Sequence, residues 1–270
     1  MTSEDRDPHP INGTTDTGEG ARSSTISLGP KGKRQLPIWQ ESLILLVIAL
    51  GLAVLLKAFF IQAFYIPSES MQPGLQINDR ILVQKVSYWA KGTPQRGDVV
   101  VFEDPDGWLD AMEATGPTSG FASVLAKVGL YPTGGHLVKR VVGVGGDVIT
   151  CCDKAGRLKV NGVAIDEKAY VAKDAQCAAP VSVQARKTCG ADALNVTVPE
   201  GYLFVMGDNR GDSADSSRHL CELDATDCPP TRGFVPVDNV VGKVFALVWP
   251  IRHFDMVSRA DSFKDVPDPK

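Results

Sequence analysis

The stretch LILLVIALGLAVLLKAFFIQAFYIPSESMQP, residues 43–73, decides how the whole chain is organised. From Leu43 to Ile66 only Lys57 and Gln62 interrupt the apolar character. A helix of that length, rising about 1.5 Å per residue, reaches across the roughly 30 Å hydrocarbon core of a bilayer. The apolar core of a removable signal peptide is shorter, about 7–15 residues, and lies near the extreme N-terminus. This run is longer and follows a polar leader, so it reads as a retained anchor. Lys57 lies in its C-terminal third, where a long amine can snorkel toward the interface. Directly behind the run, Pro67-Ser68-Glu69-Ser70 places two serines at headgroup level.

Lys31, Lys33 and Arg34 precede the run, and the first cation after Ile66 is Arg80. The bias of Lys and Arg toward the inner face then keeps the N-terminus cytoplasmic and puts everything after Ile66 outside the membrane. Residues 1–30 are rich in Gly, Ser, Thr and Asp and carry almost no large apolar side chains. Such a composition cannot offset chain entropy by burial, and a disordered cytoplasmic tail is expected there. The expected organisation is a tail over 1–37, a single transmembrane anchor over 38–65, an extracytoplasmic domain over 66–252 with insertions near 104–135 and 172–194, and a C-terminal tail over 253–270.

The formal charge of −4 on 270 residues is mild, and no basic stretch has the density or aromatic interleaving of a nucleic-acid binder, so nucleic acid is not an expected partner. Six cysteines, all after residue 150, suit an oxidising compartment. Cys221 and Cys228 are spaced for a local bridge, while Cys151, Cys152, Cys177 and Cys189 leave several pairings open. With no Cys-x-x-Cys pair and with His9, His136, His219 and His253 scattered, neither a metal nor a cofactor is expected.

Beyond the anchor the chain reads as mainly β. Arg80 to Val86, Asp98 to Phe102, Leu137 to Val142 and Tyr202 to Met206 are short runs rich in Val, Ile, Phe and Tyr bounded by turn formers. Leu158 to Ile165 carries Asn161-Gly162 between apolar segments, the signature of a two-residue hairpin. Val240 to Ile251 is too short to span a membrane and reads as a closing strand. Phe121 to Leu130 has helical spacing, and Ala172 to Leu194 is a polar excursion.

A serine hydroxyl attacks poorly unless a nearby base takes its proton. The outer histidines have no distinguishing setting, but a lysine serves if its surroundings strip it of water, because desolvation disfavours the ammonium. Lys139 lies in Leu137-Val138-Lys139-Arg140-Val141-Val142, where strand alternation sends Lys139 and Arg140 to opposite faces. On pattern alone a strand lysine is more often a solvated or edge residue. Met206-Gly207-Asp208-Asn209-Arg210-Gly211-Asp212-Ser213-Ala214-Asp215 then packs more polar groups behind an apolar strand than a simple turn requires.

Four segments in order, the serine insert behind the anchor, Arg96-Gly97-Asp98-Val99-Val100-Val101-Phe102, Lys139-Arg140 with Gly145-Gly146-Asp147, and Gly207-Asp208-Asn209-Arg210, closely resemble the motifs of bacterial type I signal peptidases. The resemblance runs from the anchor to about Trp249. The long leader and the cysteines look like the actinobacterial branch. What the resemblance implies is an antiparallel β-sheet fold of the signal-peptidase and LexA-like kind with one N-terminal transmembrane helix. It also implies a membrane-bound serine endopeptidase that cleaves signal peptides from secreted preproteins after Ala-x-Ala sites. By the same resemblance Ser70 is the nucleophile and Lys139 the general base. Ser68 and the Ser70 backbone form the oxyanion hole, Ser213 orients the lysine, Asp215 supports its loop, and Arg140 and Asp147 are structural. Phe64, Ile66, Leu75, Ile81, Leu137 and Val138 match the substrate pockets.

Two departures stand out. Glu69 occupies a position where the family commonly has a small residue, and its backbone must therefore avoid a glycine-only conformation. Ser213-Ala214-Asp215-Ser216-Ser217-Arg218 is one residue longer before the arginine than the family's pattern, so Arg218 inherits no role. The implied partners are the signal peptides of exported preproteins, membrane lipid and the export translocon. Two other readings are a self-cleaving Ser/Lys protease and an inactive homologue that only binds or scaffolds signal sequences.

Overall fold

The computed structural model describes residues 37–88, 92–105, 107–109, 135–171, 194–221 and 227–269. Residues 1–36 of the expected tail and most of both expected insertions, including the helix over Phe121 to Leu130, lie outside these residues. The chain divides into two units, Met1–Leu46 and Val47–Lys270. In the first, the described residues form the beginning of helix α1, Ile38–Phe60. The side chains of α1 are described through Val54 and again at Phe60, and the large apolar ones among them are exposed. Among the described residues no helix is long and apolar enough to cross a membrane.

The second unit is built on antiparallel strands. β1 (Ile61–Tyr65), β2 (Arg80–Gln84), β3 (Val99–Glu103) and β4 (His136–Val144) come first in the chain. Next come the short β5 (Val148–Thr150), β6 (Lys159–Val160), β7 (Val163–Ala164) and β8 (Asn195–Thr197). β9 (Tyr202–Met206), the short helix α2 (Ser216–His219), β10 (Val235–Pro236), β11 (Val240–Trp249) and β12 (Asp255–Met256) complete the described elements. The larger sheet runs β1-β2-β11-β3-β4-β9-β10, with β12 on β11, and a four-stranded sheet runs β7-β6-β5-β8. The closing strand β11 thus lies between β2 and β3 and joins the serine-bearing end of the sheet to the lysine-bearing end.

The expected strands are all present, and the hairpin is where Asn161-Gly162 puts it: both residues have positive φ, 50° and 83°, and Val160 pairs with Val163. Positive φ at both central positions gives the turn a twist that matches its flanking strands. Three apolar clusters fill the interior. One lies between the smaller sheet and β9, around Ile149, Val160, Ile165 and Phe204. Another joins Phe64, Ile66, Met71, Leu75 and Ile81 to β3 and β11. The third gathers Val100, Phe102, Trp108, Leu137 and Val205.

Two boundaries differ from expectation. Ile61–Tyr65, expected as the end of the anchor, is strand β1, paired with β2 from Ile61↔Gln84 to Tyr65↔Arg80. Gln62 and Phe64 face inward and their neighbours outward; the polar Gln62 takes a buried place and Ile61 and Tyr65 exposed ones, which hides the alternation in the sequence. The expected C-terminal tail is part of the domain: β12 pairs with β11, Phe263 and Val266 are buried, and Arg259 Nε donates to Asp98 at 3.0 Å. Its two buried apolar residues are too sparse to give a periodic signal. Disulfides join Cys221 to Cys228, the local bridge that the spacing suggested, and Cys151 to Cys152. Cys177 and Cys189 lie outside the described residues.

Candidate active site

Ser70 lies in the turn that follows β1. Ile66 N donates to Asp79 O and Asn78 N to Ile66 O, tying the two ends of this excursion together, and Gln72 N donates to Glu69 O within it. Asn209 N donates to Ser70 O at 3.0 Å, and Asn209 Nδ2 to Glu69 O at 3.3 Å, so the Gly207–Arg210 loop clamps the turn from the other side. Glu69 has no positive φ and needs none of glycine's freedom.

Lys139 reaches this turn from β4, where it pairs with Val100 of β3. Its side chain is buried, as is Ser70, and a 2.7 Å hydrogen bond joins Lys139 Nζ to Ser70 Oγ. Ser68 Oγ lies 3.3 Å from Ser70 Oγ. A hydroxyl in hydrogen-bond contact with a buried amine can deliver its proton there as the oxygen attacks, which is the geometric requirement for a general base.

Arg140, one residue on, points to the opposite face, as strand alternation requires. Its guanidinium takes the Asp208 carboxylate in two parallel bonds of 2.8 and 2.6 Å, donates to Gly97 O at 3.0 Å and lies 4.2 Å from the centroid of the Tyr170 ring. Burial opposes the charge on Arg140, but the bonds to Asp208 and its negative charge outweigh that and hold the guanidinium pKa above its ordinary value. Arg210 behaves alike: burial works against it, Glu167 more than compensates, and its Nε donates to Gly207 O at 2.9 Å. Asp147 is a turn and pairing residue, accepting from Val144 N at 2.8 Å and from Arg96 through two bonds of 2.6 Å.

Asp215 shapes the loop that follows β9. As the N-cap of α2 it accepts from Ser217 N at 3.0 Å and Ser217 Oγ at 2.7 Å, and its other oxygen accepts from Gly207 N at 2.9 Å. Ser213 Oγ is buried and has no hydrogen-bond partner among the described residues. Gly207 leaves the room these groups occupy: a Cβ there would collide with Ser213 Oγ and the Ser70 carbonyl oxygen. Arg218, which inherited no role, donates to Gly211 O on the exposed side of the loop.

Ser70 and Lys139 open into a cavity of about 520 Å³. Of the residues matched to substrate pockets, Phe64, Ile66, Leu137 and Val138 line it. Leu75 and Ile81 do not. They are buried in the apolar cluster that holds Phe64 and Ile66 in place, Ile81 pairing with Phe64 across β1 and β2. Tyr65, His136, Trp108, Leu109, Asp212 and Ala214 also line the cavity and were not anticipated. His136 precedes Leu137 on a strand already assigned to the site, so its place was inferable. Trp108 follows Asp104-Pro105-Asp106-Gly107, and only a large aromatic among turn residues marked it.

The model of the family described as signal peptidase, peptidase S26, matches residues 39–249. A probable signal peptidase I of Mycobacterium leprae (strain TN) is 36% identical over 263 residues, covering 90% of this chain and 87% of that protein. The signal peptidase I of Mycobacterium tuberculosis (strain ATCC 25618 / H37Rv) is 38% identical over 228 residues, covering 81% and 75%. A probable signal peptidase I-2 of Synechocystis sp. (strain ATCC 27184 / PCC 6803 / Kazusa) is 32% identical over 213 residues, covering 79% and 74%.

Proposed function

This chain belongs to the signal peptidase family, peptidase S26, and is a serine endopeptidase that cleaves signal peptides; from that premise we propose that Ser70 is its nucleophile and Lys139 its general base. The observation that carries the proposal is the 2.7 Å contact between Lys139 Nζ and Ser70 Oγ inside the cavity. As Ser70 Oγ adds to the scissile carbonyl, its proton passes to the Lys139 amine, which burial favours in the uncharged form. The carbonyl oxygen, now an anion, receives hydrogen bonds from Ser70 N and Ser68 Oγ. The lysine ammonium then protonates the leaving amine, freeing the mature N-terminus. Water, deprotonated by the same amine, hydrolyses the acyl-serine and releases the signal peptide.

Asp215 holds the loop behind the dyad, and Ser213, whose hydroxyl is buried beside Gly207, is the side chain available there to orient the amine. The substrate lies extended in the cleft between Ile66–Ser68 on one side and Leu137–Lys139 on the other, as an added strand whose alternate side chains enter small pockets. Phe64, Ile66, Leu137 and Val138 shape those pockets, and the preferred site is Ala-x-Ala.

The anchor and the address rest on the sequence. The apolar run from Leu43 to Phe60 and its cationic N-terminal flank, Lys31, Lys33 and Arg34, support a single span with the N-terminus in the cytoplasm and the dyad outside. Enzyme and substrate anchored in one bilayer gain effective concentration without any new contact, and the export translocon is the natural neighbour. The test is to supply a preprotein with an Ala-x-Ala site in trans to the full chain in vesicles and sequence the product's N-terminus. Cleavage after the second Ala, lost in Ser70→Ala, is expected. Cleavage by Ser70→Ala at the wild-type rate overturns the assignment.

A further inference from the structure

The cavity has a wall that the dyad and the pocket residues do not supply. Trp108 and Leu109 line it together with Ser70 and Lys139, although both come from the segment that leaves β3. That segment is pinned where it meets the cavity: the Asp104 carboxylate accepts from Trp108 N at 2.8 Å and from Leu109 N at 3.1 Å. The indole is fixed from two sides. It stacks on the His219 ring with centroids 4.4 Å apart and planes 5° from parallel, and it meets Phe102 edge to face at 6.1 Å. His219 Nδ1 is 2.9 Å from Asp215 O, so the wall rests on the residue that also holds Gly207 behind the nucleophile. A buried indole held by two rings, on a backbone pinned by a carboxylate, has little freedom to withdraw when a substrate enters.

Its position along the cleft follows from the sheet. Lys139 and Leu137 share one face of β4, Phe102 pairs in register with Leu137, and Trp108 packs in the same apolar cluster as both. Phe64 and Ile66 belong to the other apolar cluster bordering the cleft, against which Val138 packs. Trp108 therefore flanks the cleft beside Leu137, the neighbour of Lys139 on the same face of β4.

We propose that Trp108, seconded by Leu109, is a specificity-determining residue that limits the size of the substrate side chain immediately before the scissile bond, with Asp104 and His219 as its positioning residues. The inference rests on the dyad assignment and adds to it a steric stop outside the serine and lysine motifs. A single methylene in an apolar pocket separates substrates by about 10–200-fold, so replacing the indole by a methyl group opens space for a side chain of valine or leucine size.

The experiment uses the full chain in vesicles and preproteins that differ only in carrying Ala, Val or Leu either immediately before the scissile bond or at the third position before it. In Trp108→Ala the ratio of kcat/KM for Val over Ala at the first of these positions is expected to rise by about tenfold or more. Trp108→Phe should give a smaller rise, and the ratio at the third position should stay within twofold. Leu109→Ala, a milder change at a partly exposed side chain, should move the same ratio in the same direction. An unchanged ratio in both alanine variants, with the Ala substrate still cleaved, overturns the proposal. A rise confined to the third position overturns it as well. Failure of the unmodified chain to cleave the Ala substrate would instead remove the dyad reading, which separates the two.

Discussion

Lys139 Nζ and Ser70 Oγ are 2.7 Å apart, although the residues lie 69 positions from one another and on separate elements. β11 makes this possible by lying between β2 and β3, which carries the serine turn to the strand that bears the lysine. If that contact is the catalytic proton path, Ser70→Ala and Lys139→Met should each abolish processing of an Ala-x-Ala preprotein. For Lys139→Met the loss should be at least about 10²–10⁴-fold, the usual worth of a positioned base. Methionine preserves length and apolar packing, so thermal unfolding should show a folded protein. Full activity in purified Lys139→Met would exclude the dyad.

Ser68 offers a finer test of the same site. Its hydroxyl is 3.3 Å from Ser70 Oγ, close enough to serve an oxyanion that forms beside the nucleophile. An oxyanion-hole donor acts mainly on the transition state, so Ser68→Ala should lower kcat by about 10²–10³-fold while KM changes little. Steady-state kinetics on a signal-peptide substrate separate the two. A change in KM alone would make Ser68 a turn-forming or binding residue instead.

Gly207 is under a steric constraint independent of its own flexibility. Any Cβ there meets Ser213 Oγ and the Ser70 carbonyl oxygen, and the latter belongs to backbone that also accepts from Asn209 N. Gly207→Ala must therefore push the nucleophile's turn away from the loop. Overpacking of this kind costs about 1–3 kcal/mol in stability, and a shift of the reacting oxygen by even about 1 Å can cost about 10²-fold in rate. Ser213→Ala removes the hydroxyl that such a Cβ strikes but leaves the clashes with the Cβ of position 213 and with the Ser70 carbonyl oxygen. The double variant should recover part of the stability and little of the activity, as read by urea unfolding and cleavage assays side by side.

Much of this arrangement could be read from the chain. Alternation placed Lys139 and Arg140 on opposite faces, and they are now seen to bond Ser70 and Asp208 respectively. Asn161-Gly162 announced its hairpin because few residue pairs adopt positive φ twice in succession. β1 was hidden because Ile61–Tyr65 continues a largely apolar run and its amide, Gln62, faces inward while Ile61 and Tyr65 face outward, the reverse of the usual alternation. Leu75 and Ile81 were assigned to the cleft but lie in the core behind it, since an apolar side chain near a site reads the same whether it lines a pocket or supports one. Trp108 escaped notice because its place depends on a ring stack with His219, a contact between segments that no local pattern encodes.

Tyr170 connects the buried charges beneath the site to stability at high pH. Burial, and after it the negative charge of Glu167, raise its pKa well above the ordinary phenol value, while in the unfolded chain it titrates near about 10. Above that pH the unfolded state loses a proton that the folded state keeps. The folded state then binds more protons, and stability falls as pH rises, by up to about 1.4 kcal/mol per pH unit from this residue. Tyr170→Phe keeps a ring beneath the Arg140 guanidinium, which now lies 4.2 Å from its centroid, and removes the titrating group. The variant loses the 3.1 Å hydrogen bond to Glu167, so at pH 7 it should be less stable by about 0.5–1.5 kcal/mol. As pH climbs past about 10 the wild type should lose stability faster, and the difference should narrow and then reverse. Urea unfolding from pH 7 upward reads this directly, and parallel curves throughout would mean that Tyr170 ionises as easily in the fold as out of it.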